Sequence, residues 1–253
     1  MDSLSTRHAL VTGGGTGIGR AVAAALTAQG AVVTIAGRRM APLQETVAAG
    51  CAAAFFTTDV TDADALRRGI DAAVAERGPV DILVAGAGGA ESVPFASGGS
   101  GAFRRMIDLN LMGTVNAVEA VLTGMSARGF GRIVAVASTA GLRGYAYVSA
   151  YCAAKHAVVG LVRALALEVA QRGVTVNAVC PGFTDTDLVR DGVARVVEKT
   201  GRSPAQALAE FTRHNPQGRL ITPAEVAATI AFLCSAPATG INGAAVTVAG
   251  GEL

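Results

Sequence analysis

Tyr151 and Lys155 lie four residues apart, at the start of a segment with helical apolar spacing. That spacing puts both side chains on one face of a helix. A phenol has a pKa of about 10, and a fixed ammonium close to it stabilises the phenolate and lowers that pKa. Proton exchange with an alcohol or a ketone then becomes feasible near neutral pH. We therefore predict an acid–base pair, and Ser138, which follows an apolar strand-like run over 133–137, could reach the same carbonyl oxygen.

The alternative for this pair is an ordinary half-buried aromatic side chain and a solvated lysine. Of the 21 lysine and arginine residues, only Lys155 and Lys199 are lysines. Arginine is bulkier and keeps its proton, so a lysine at this position indicates chemistry that needs a compact ammonium. Tyr145 and Tyr147 have no basic residue four positions further on, so they offer no second pair of this kind.

A strand, a glycine turn and a helix are predicted at the start of the chain. Residues 8–12 form an apolar run. Residues 13–19 read Gly-Gly-Gly-Thr-Gly-Ile-Gly, which follows the pattern Gly-x-x-x-Gly-x-Gly. Residues 20–29 then have helical spacing, with Gly30 as the C-cap. In this context the backbone N–H groups and the helix N-terminus face an anion, and glycines allow its close approach. The segment therefore predicts a site for the pyrophosphate of a dinucleotide.

The second predicted strand, residues 31–36, bears on the type of dinucleotide. It ends in Gly37, Arg38 and Arg39, where an acidic residue would bind the ribose hydroxyls of NAD. Because two arginines stand there instead, charge-assisted contacts with a 2′-phosphate are expected, which favours NADP over NAD. The alternative is that both arginines are solvated and NAD binds without the acid.

Further strands and helices alternate along the middle of the chain. A third strand is predicted over 51–58, a helix over 62–77 with Asp62 as its N-cap, and a fourth strand over 80–85. A second glycine turn, 86–89, follows that strand and indicates close backbone approach to a ligand. Residues 98–101 read as a loop, and 103–128 as a long helix. Asn110 lies among apolar residues of this helix, and its amide could either bond to backbone or take part in function.

The last third of the chain continues the alternation. A sixth strand is predicted over 174–180, a polar segment over 184–215, a helix over 223–233 capped by Thr222, and a strand over 244–248. The polar segment, interrupted by glycine and proline, would make a mobile substrate lid. Strands alternate with helices without a linker or a repeat. We therefore predict one doubly wound, Rossmann-type α/β domain over residues 1–253, with a central parallel sheet and helices on both faces.

Composition narrows the classes of function. The 51% hydrophobic content with few aromatic residues suits a buried parallel sheet, and the net charge of +2 does not argue for binding to nucleic acid or membranes. No signal pattern or membrane-spanning run is present in the sequence, which predicts a cytoplasmic protein. Four scattered cysteines without metal spacing read as reduced thiols, and Cys152 lacks the His/Asp arrangement of a nucleophile. These cysteines are Cys51, Cys152, Cys180 and Cys234.

Together these motifs resemble those of the short-chain dehydrogenase/reductase family along nearly the whole chain. The matching motifs are Thr12-Gly-x-x-x-Gly-Ile-Gly19, Asp59-Val60, Asn110, Ser138, Tyr151-x-x-x-Lys155 and Pro181-Gly-x-x-x-Thr186. Residues 151–160 and 174–183 look most like the ketoreductases of aromatic polyketide synthesis, followed by the 3-oxoacyl thioester reductases. The resemblance also implies a homotetramer in which the Asn110 and Tyr151 helices contact a partner.

The resemblance implies a role for each motif. Tyr151 would be the general acid/base, Lys155 would lower its pKa and hold the nicotinamide ribose, Ser138 would orient the carbonyl group, and Asn110 would hold a water in a proton relay. No metal is needed. Asp59 would contact adenine and Thr186 the carboxamide of nicotinamide. With the two arginines included, the expected cofactor residues are Gly13, Thr16, Gly17, Ile18, Gly19, Arg38, Arg39, Asp59, Val60, Ala87, Gly88, Tyr151, Lys155, Pro181, Gly182, Thr184 and Thr186. The expected substrate residues are Ser138, Thr139, Tyr145, Tyr151 and Phe183, with Gly89, Ala90, Arg143, Tyr147 and the lid as further pocket candidates.

Two departures from the family pattern lie outside the set of Ser138, Tyr151 and Lys155. The family's Asn-Asn-Ala-Gly turn is replaced by residues 85–88, Ala-Gly-Ala-Gly, so the asparagine bonds that brace the turn must be replaced or absent. The family's Asp-Gly-Gly near the C-terminus is replaced by Ala-Gly-Gly at 249–251, which leaves the packing there open.

We predict an oxidoreductase that transfers a hydride between NADP(H) and a secondary alcohol/ketone pair, with a 3-oxoacyl thioester or a bulky cyclic ketone as substrate. One alternative is an NAD-dependent dehydrogenase that oxidises a hydroxyacyl thioester, dihydrodiol or hydroxysteroid in a degradation pathway. An alternative of another class is a non-catalytic dinucleotide sensor, which would have no need of a tuned phenol.

Overall fold

The structure, a computed structural model, describes residues 4–253, and a single parallel sheet runs through them. Its strands are β1 (His8–Thr12), β2 (Val32–Gly37), β3 (Ala54–Thr57), β4 (Val80–Ala85), β5 (Gly131–Val136), β6 (Val174–Pro181) and β7 (Ala245–Val248). Their order in the sheet is β3-β2-β1-β4-β5-β6-β7, and every neighbouring pair is parallel. The order reverses between β1 and β4, and this confirms the predicted doubly wound α/β fold.

Helices connect the strands and cover both faces of the sheet. They are α1 (Gly17–Ala28), α2 (Met40–Ala48), α3 (Ala63–Arg77), α4 (Phe95–Ile107), α5 (Gly113–Arg128), α6 (Ser149–Val169), α7 (Asp187–Thr200), α8 (Pro204–Thr212) and α9 (Pro223–Cys234). Side chains of α1, α2 and α9 form one core layer with the sheet, and side chains of α3, α5 and α6 form the other. Along β1, Leu10 joins the second layer while its neighbours Ala9 and Val11 join the first, as the two-residue period of a strand requires.

Local signals at two helix ends are confirmed. The Asp62 carboxylate accepts a hydrogen bond of 2.9 Å from the backbone N–H of Ala65, at the start of α3. Thr222 and Glu225 form a reciprocal capping box at the start of α9. Each such cap contributes about 1 kcal/mol, because it satisfies backbone donors that have no partner within the helix.

The structure corrects several predicted boundaries. The first helix begins at Gly17, three residues earlier than predicted, because the last part of the glycine turn already forms the first helical turn. The third strand is limited to Ala54–Thr57, where β2 offers pairing partners. The helix α2 was not predicted, and its N-cap residue, Arg39, makes no side-chain capping bond that could have marked it.

The predicted loop at 98–101 is also wrong, because these residues lie inside α4. The helix tolerates this glycine-rich stretch with a kink at Gly99, where φ is 51°. A Cβ at Gly98 would lie 2.6 Å from the side chain of Val93, so glycine permits a close contact there. The predicted helix over 103–128 is divided by a π-helical turn, Asp108–Met112, which contains Asn110. Among the residues described, no helix is both long enough and apolar enough to cross a bilayer.

Candidate active site

The glycine turn after β1 is packed too closely for side chains. Gly13 has a φ of 73°, and a Cβ there would lie 2.9 Å from backbone atoms of Ala87. A Cβ at Gly19 would overlap the carbonyl oxygen of Gly13. The turn therefore presents bare backbone at the carboxyl edge of the sheet and leads directly into α1, as an anion site requires.

The second glycine turn, residues 86–89, lies beside the first and is braced by two polar side chains. Thr12 Oγ1 accepts hydrogen bonds from the backbone N–H groups of Gly86 and Ala87, at 3.1 and 3.2 Å. Asn110 Oδ1 accepts one from the N–H of Gly89 at 3.3 Å. The turn is therefore braced although it lacks the asparagines of the family pattern. Thr12 was part of the sequence motif, but its bracing role was not predicted.

Asn110 is fully buried, and its amide is satisfied by backbone. Its Nδ2 donates to the carbonyl oxygens of Gly89 and Met106, at 3.0 and 3.1 Å. A Cβ at Gly88 would lie 2.7 Å from Asn110 Oδ1 and 3.5 Å from Lys155 Nζ. The structure therefore brings Asn110 and Lys155 to the same turn, although the side chain of Asn110 bonds to backbone.

A groove extends from the two glycine turns toward the end of β2. The residues lining it include Gly13, Gly15, Thr16, Arg38, Arg39, Asp59, Val60, Ala87, Gly88 and Leu109. Arg38 Nη1 lies 4.0 Å from Asp59 Oδ2. The pKa of Asp59 is lowered mainly by the N–H of Thr61, which donates to its carboxylate at 3.0 Å. A bare-backbone anion site and two arginines in one groove fit a dinucleotide that carries an additional phosphate.

The loop after β6 reaches the first glycine turn from the other side. A Cβ at Gly17, whose φ is 50°, would lie 3.0 Å from the methyl group of Thr186. Thr184 is buried, and its hydroxyl donates to the carbonyl oxygen of Gly182 at 3.0 Å. Thr186 precedes α7 as its N-cap residue. The cofactor residues predicted after β6 and those after β1 are therefore neighbours in the structure.

Ser138 and Tyr151 face each other at the carboxyl edge of β5. Ser138 Oγ accepts a hydrogen bond of 3.1 Å from the N–H of Ala140, at the start of a 3₁₀ turn, Thr139–Gly141. Burial raises the pKa of the Tyr151 phenol to about 12, and a hydrogen bond with the Ser138 hydroxyl opposes this rise. The phenol is therefore protonated at neutral pH, which suits a proton donor.

Lys155 lies one helical turn from Tyr151 and is 5% exposed. Its Nζ donates to the carbonyl oxygen of Val136 at 2.8 Å and lies 5.7 Å from the centroid of the Tyr151 ring. Burial lowers the pKa of Lys155 to about 8. The two side chains share a face of the helix, but burial raises the pKa of the Tyr151 phenol in this structure, which is opposite in direction to the predicted lowering.

Three of the predicted substrate residues, Thr139, Tyr145 and Phe183, form a wall that begins directly after Ser138. The Tyr145 hydroxyl lies 2.7 Å from Thr139 Oγ1, and its ring packs edge-to-face on Phe183 with 6.0 Å between centroids. The guanidinium of Arg143 lies 5.0 Å from the Tyr145 ring centroid. Tyr147 differs from these, since its side chain is 66% exposed. Its φ is 66°, and its carbonyl oxygen accepts a 2.7 Å hydrogen bond from the N–H of Val93.

Two further residues of this wall lie in the predicted lid, 184–215, which sequence reasoning named only as a whole, and a third, Glu252, was missed. Phe211 and His214 contact the ring of Phe183, with centroid separations of 5.2 and 5.9 Å. Glu252 accepts a hydrogen bond from Tyr145. No motif or period singles out any of the three, so only the folded arrangement shows which residues complete the wall.

The chain is similar to known proteins along nearly its whole length. The sequence model of a family described as short chain dehydrogenase matches residues 7–196. A putative ketoacyl reductase of the monensin polyketide synthase of Streptomyces virginiae is 39% identical over 260 residues, which cover 99% of this chain and 98% of that protein. Cis-4-hydroxycyclohexanecarboxylate dehydrogenase of Sinomonas cyclohexanicum is 40% identical over 256 residues, with 99% and 98% covered.

A solved structure is also similar to this fold. A crystal structure of a substituted actinorhodin polyketide ketoreductase with NADPH has a TM-score of 0.94 and 34% identity. The match covers 100% of this chain and 99% of that chain. The similarity therefore extends over both glycine turns, the Ser138 turn and α6.

Proposed function

Because the chain belongs to the short-chain dehydrogenase family, we propose that it is an NADP(H)-dependent oxidoreductase that interconverts a ketone and a secondary alcohol. The similar proteins named above act, by their names, on ketoacyl groups and on a hydroxycyclohexane acid. The observation that carries the proposal is that Tyr151 bonds to the Ser138 hydroxyl and lies near the Lys155 ammonium, which itself lies next to the second glycine turn. A ring ketone or a 3-oxoacyl thioester is the proposed substrate.

NADP(H) is the proposed cofactor, with the two glycine turns for its phosphates. Arg38 and Arg39 would bind the 2′-phosphate, and Asp59 and Val60 would lie against adenine. Pro181, Gly182, Thr184 and Thr186 would hold the nicotinamide end. When bound, the reduced nicotinamide supplies the hydride that the carbonyl carbon accepts. The crystal structure of the similar ketoreductase with NADPH supports this choice over NAD.

Tyr151 would donate a proton to the carbonyl oxygen as the ketone is reduced to the alcohol. Its raised pKa keeps the phenol protonated until that step. The Ser138 hydroxyl, oriented by the N–H of Ala140, would hold the same oxygen and then stabilise the phenolate. Lys155, fixed by the carbonyl oxygen of Val136, would place a positive charge beside that phenolate. Asn110 would support Lys155 through a water.

The test is NADPH oxidation in the presence of a panel of cyclic ketones and acetoacetyl thioesters. Tyr151→Phe keeps the ring but removes the proton donor, so its turnover should fall at least about a hundredfold. Binding of NADPH, measured by fluorescence titration, should not change. Turnover by Tyr151→Phe at the wild-type rate would refute the assignment. Tight NADPH binding without turnover of any substrate would instead support the non-catalytic sensor.

We also propose that residues 184–215 are a lid on this single-domain chain. They fold as α7 and α8, which follow the loop that carries Thr184 and Thr186. Contacts of Phe211 and His214 with Phe183 join the end of the lid to the substrate wall. Closure would exclude water from the reacting groups.

The proposed assembly is a homotetramer in the cytoplasm. Exposed apolar side chains on the layer of α4 to α6 support contact with further copies, because Phe95 is 71% and Leu167 82% exposed. The cysteines are unpaired in the described part of the chain, as is usual for a reducing compartment. Light scattering coupled to size-exclusion chromatography would measure the number of copies.

A further inference from the structure

A second phenol, Tyr145, lies in the loop between β5 and α6 and makes two polar contacts that the proposed proton transfer does not use. Its hydroxyl lies 2.7 Å from Thr139 Oγ1 and also bonds to the carboxylate of Glu252. Burial, followed by the bond to Glu252, raises the pKa of Tyr145, so the phenol keeps its proton. Glu252 lies 107 residues after Tyr145 in the sequence, so only the fold brings the two side chains together.

The direction of these hydrogen bonds follows from counting protons. Tyr145 has one hydroxyl hydrogen and two oxygen neighbours, and an ionised carboxylate can only accept. Tyr145 therefore donates to Glu252, in a charge-assisted bond, and accepts from the hydroxyl of Thr139. Thr139 is buried and opens the 3₁₀ turn directly after Ser138. Glu252 thus orients the phenol of Tyr145.

Glu252 is held where it lies by the packing of residues 249–253. Gly250 and Gly251 have φ values of 65° and 95°, and a Cβ at Gly250 would overlap Asn215. Asn215, at the end of the lid, is itself fixed, since its Oδ1 accepts from the N–H of Gln217 at 2.8 Å. The other carboxylate oxygen of Glu252 would lie 3.0 Å from a Cβ at Gly182. The open question about the packing of Ala-Gly-Gly is thereby answered: both glycines are needed for this arrangement.

The ring of Tyr145 belongs to an aromatic wall that Thr139 connects to Ser138. It packs edge-to-face on His214 and Phe183, with centroid separations of 5.7 and 6.0 Å. Phe211 extends the wall through Phe183. Edge-to-face packing of this kind gives flat apolar rings favourable contacts at a defined orientation. A ketone within a ring presents such a surface, whereas a short linear thioester does not.

We propose that Glu252 is a positioning residue that fixes Tyr145 in this wall, and that the wall selects cyclic ketones over short linear 3-oxoacyl thioesters. The proposal rests on the proposed function, since it names the substrate class of the same site. Glu252 acts through Tyr145, so both residues should influence the KM for a cyclic ketone. The proton donor Tyr151 and the groove that binds the cofactor are left intact by changes at either residue.

The experiment measures steady-state kinetics of Glu252→Ala, Tyr145→Phe and the double variant, with 1-tetralone and with an acetoacetyl thioester. In each single variant the KM for 1-tetralone should rise about tenfold, because one charge-assisted bond is lost, while kcat changes less than about threefold. The double variant should show no further rise, because both substitutions remove the same bond. The KM for NADPH and the KM for the thioester should stay at their wild-type values.

Two matched variants serve as controls. Glu252→Gln keeps an acceptor oxygen at the same distance from the backbone as in the wild type. If the hydrogen bond to Tyr145 is what matters, this variant should have a KM for 1-tetralone close to the wild-type value, unlike Glu252→Ala. Glu168→Ala removes an exposed carboxylate from α6 and should leave all constants unchanged. Tyr145→Phe retains the ring, so it tests the same bond if Glu252→Ala does not fold.

Three results would overturn the inference: an unchanged KM for 1-tetralone in Glu252→Ala, single effects that add in the double variant, or an equal rise for both substrates. Turnover by the wild type together with such a result would overturn this inference alone. No turnover of either substrate by the wild type would overturn the proposed function, and this inference with it.

Discussion

Burial acts on Tyr151 and Lys155 in the same physical sense, since it favours the neutral form of each side chain. The pKa of the phenol rises to about 12, while that of the ammonium falls to about 8. At neutral pH the phenol is therefore protonated and the lysine still mostly charged. A proton donor beside a cation is the pair that reduction of a carbonyl group needs, because the phenolate that remains is then stabilised.

The charge of Lys155 should set the upper limit of the pH range for ketone reduction. As pH rises through about 8, the ammonium loses its proton and the phenolate loses that stabilisation, so kcat/KM should fall. Lys155→Met keeps much of the side-chain length but carries no charge. It should be slower than the wild type throughout, and the decline near this pH should be absent from its profile. A decline of the same midpoint in Lys155→Met would show that another group titrates there.

Arg38 should determine the preference between NADPH and NADH. It lies in the cofactor groove, and Asp59, at 4.0 Å, is its only ion-pair partner in the described part of the chain. Arg38→Ala should raise the KM for NADPH about tenfold and leave that for NADH nearly unchanged, because only NADPH carries the 2′-phosphate. Arg68→Ala, an exposed arginine on α3, is the control. An unaltered ratio of the two KM values would remove Arg38 from the phosphate site.

At the scale of elements, the two glycine turns depend on each other through Thr12. This residue ends β1 and directs its hydroxyl oxygen at two backbone N–H groups of the turn after β4. These two hydrogen bonds hold the turn after β4 at a fixed position relative to β1, and the cofactor would lie on the backbone of that turn. Asn110 acts in the same way from the π-helical turn, through Gly89.

Thr12→Val should test this bracing, because it keeps the shape of the side chain and removes the acceptor. Two partly buried N–H groups would lose their partner, which should lower the free energy of unfolding by about 1–3 kcal/mol. The KM for NADPH should rise as well, since the turn loses its fixed position. Thr57→Val, on the exposed side of β3, should change neither quantity. Chemical denaturation and cofactor titration measure both, and a Thr12→Val protein as stable as the control would refute the bracing role.

Sequence reasoning recovered the elements whose cause is local. Apolar runs located β1, β4 and β6, and the caps at Asp62 and Thr222 located two helices. It failed where distant contacts decide the structure. The stretch 98–101 is helical because α4 packs through Ala102 against α6, and glycine content alone does not reveal that contact.

The site divides in the same way between local and distant causes. Spacing placed Tyr151 and Lys155 on one helix face, but the direction of the tyrosine pKa depends on burial, which spacing does not report. Glu252 and His214 reach the substrate wall only because the lid and residues 249–253 fold over the carboxyl edge of the sheet. No motif singles out either residue in the sequence, although His214 lies within the predicted lid.

At the scale of the whole molecule, His8 links β1 to β2 and to the segment before β4, at the amino edge of the sheet. It is buried in β1, with Nε2 2.9 Å from Thr34 Oγ1 on β2 and Nδ1 2.8 Å from the carbonyl oxygen of Gly78, just before β4. Because a carbonyl oxygen can only accept, Nδ1 carries the proton and Nε2 accepts from the threonine hydroxyl. The ring is therefore held in one neutral tautomer.

This arrangement should make the protein less stable in mild acid. Burial lowers the pKa of His8 below 6.5, so the unfolded chain binds a proton more readily than the folded chain. Stability is then fully present above about pH 6.5 and is lost as pH falls toward the folded pKa, by at most about 1.4 kcal/mol per pH unit for one proton. Urea unfolding across this range should show the slope in the wild type. His8→Gln, which keeps a donor and an acceptor but does not titrate, should abolish it, whereas an equal slope in His8→Gln would show that His8 is not the cause.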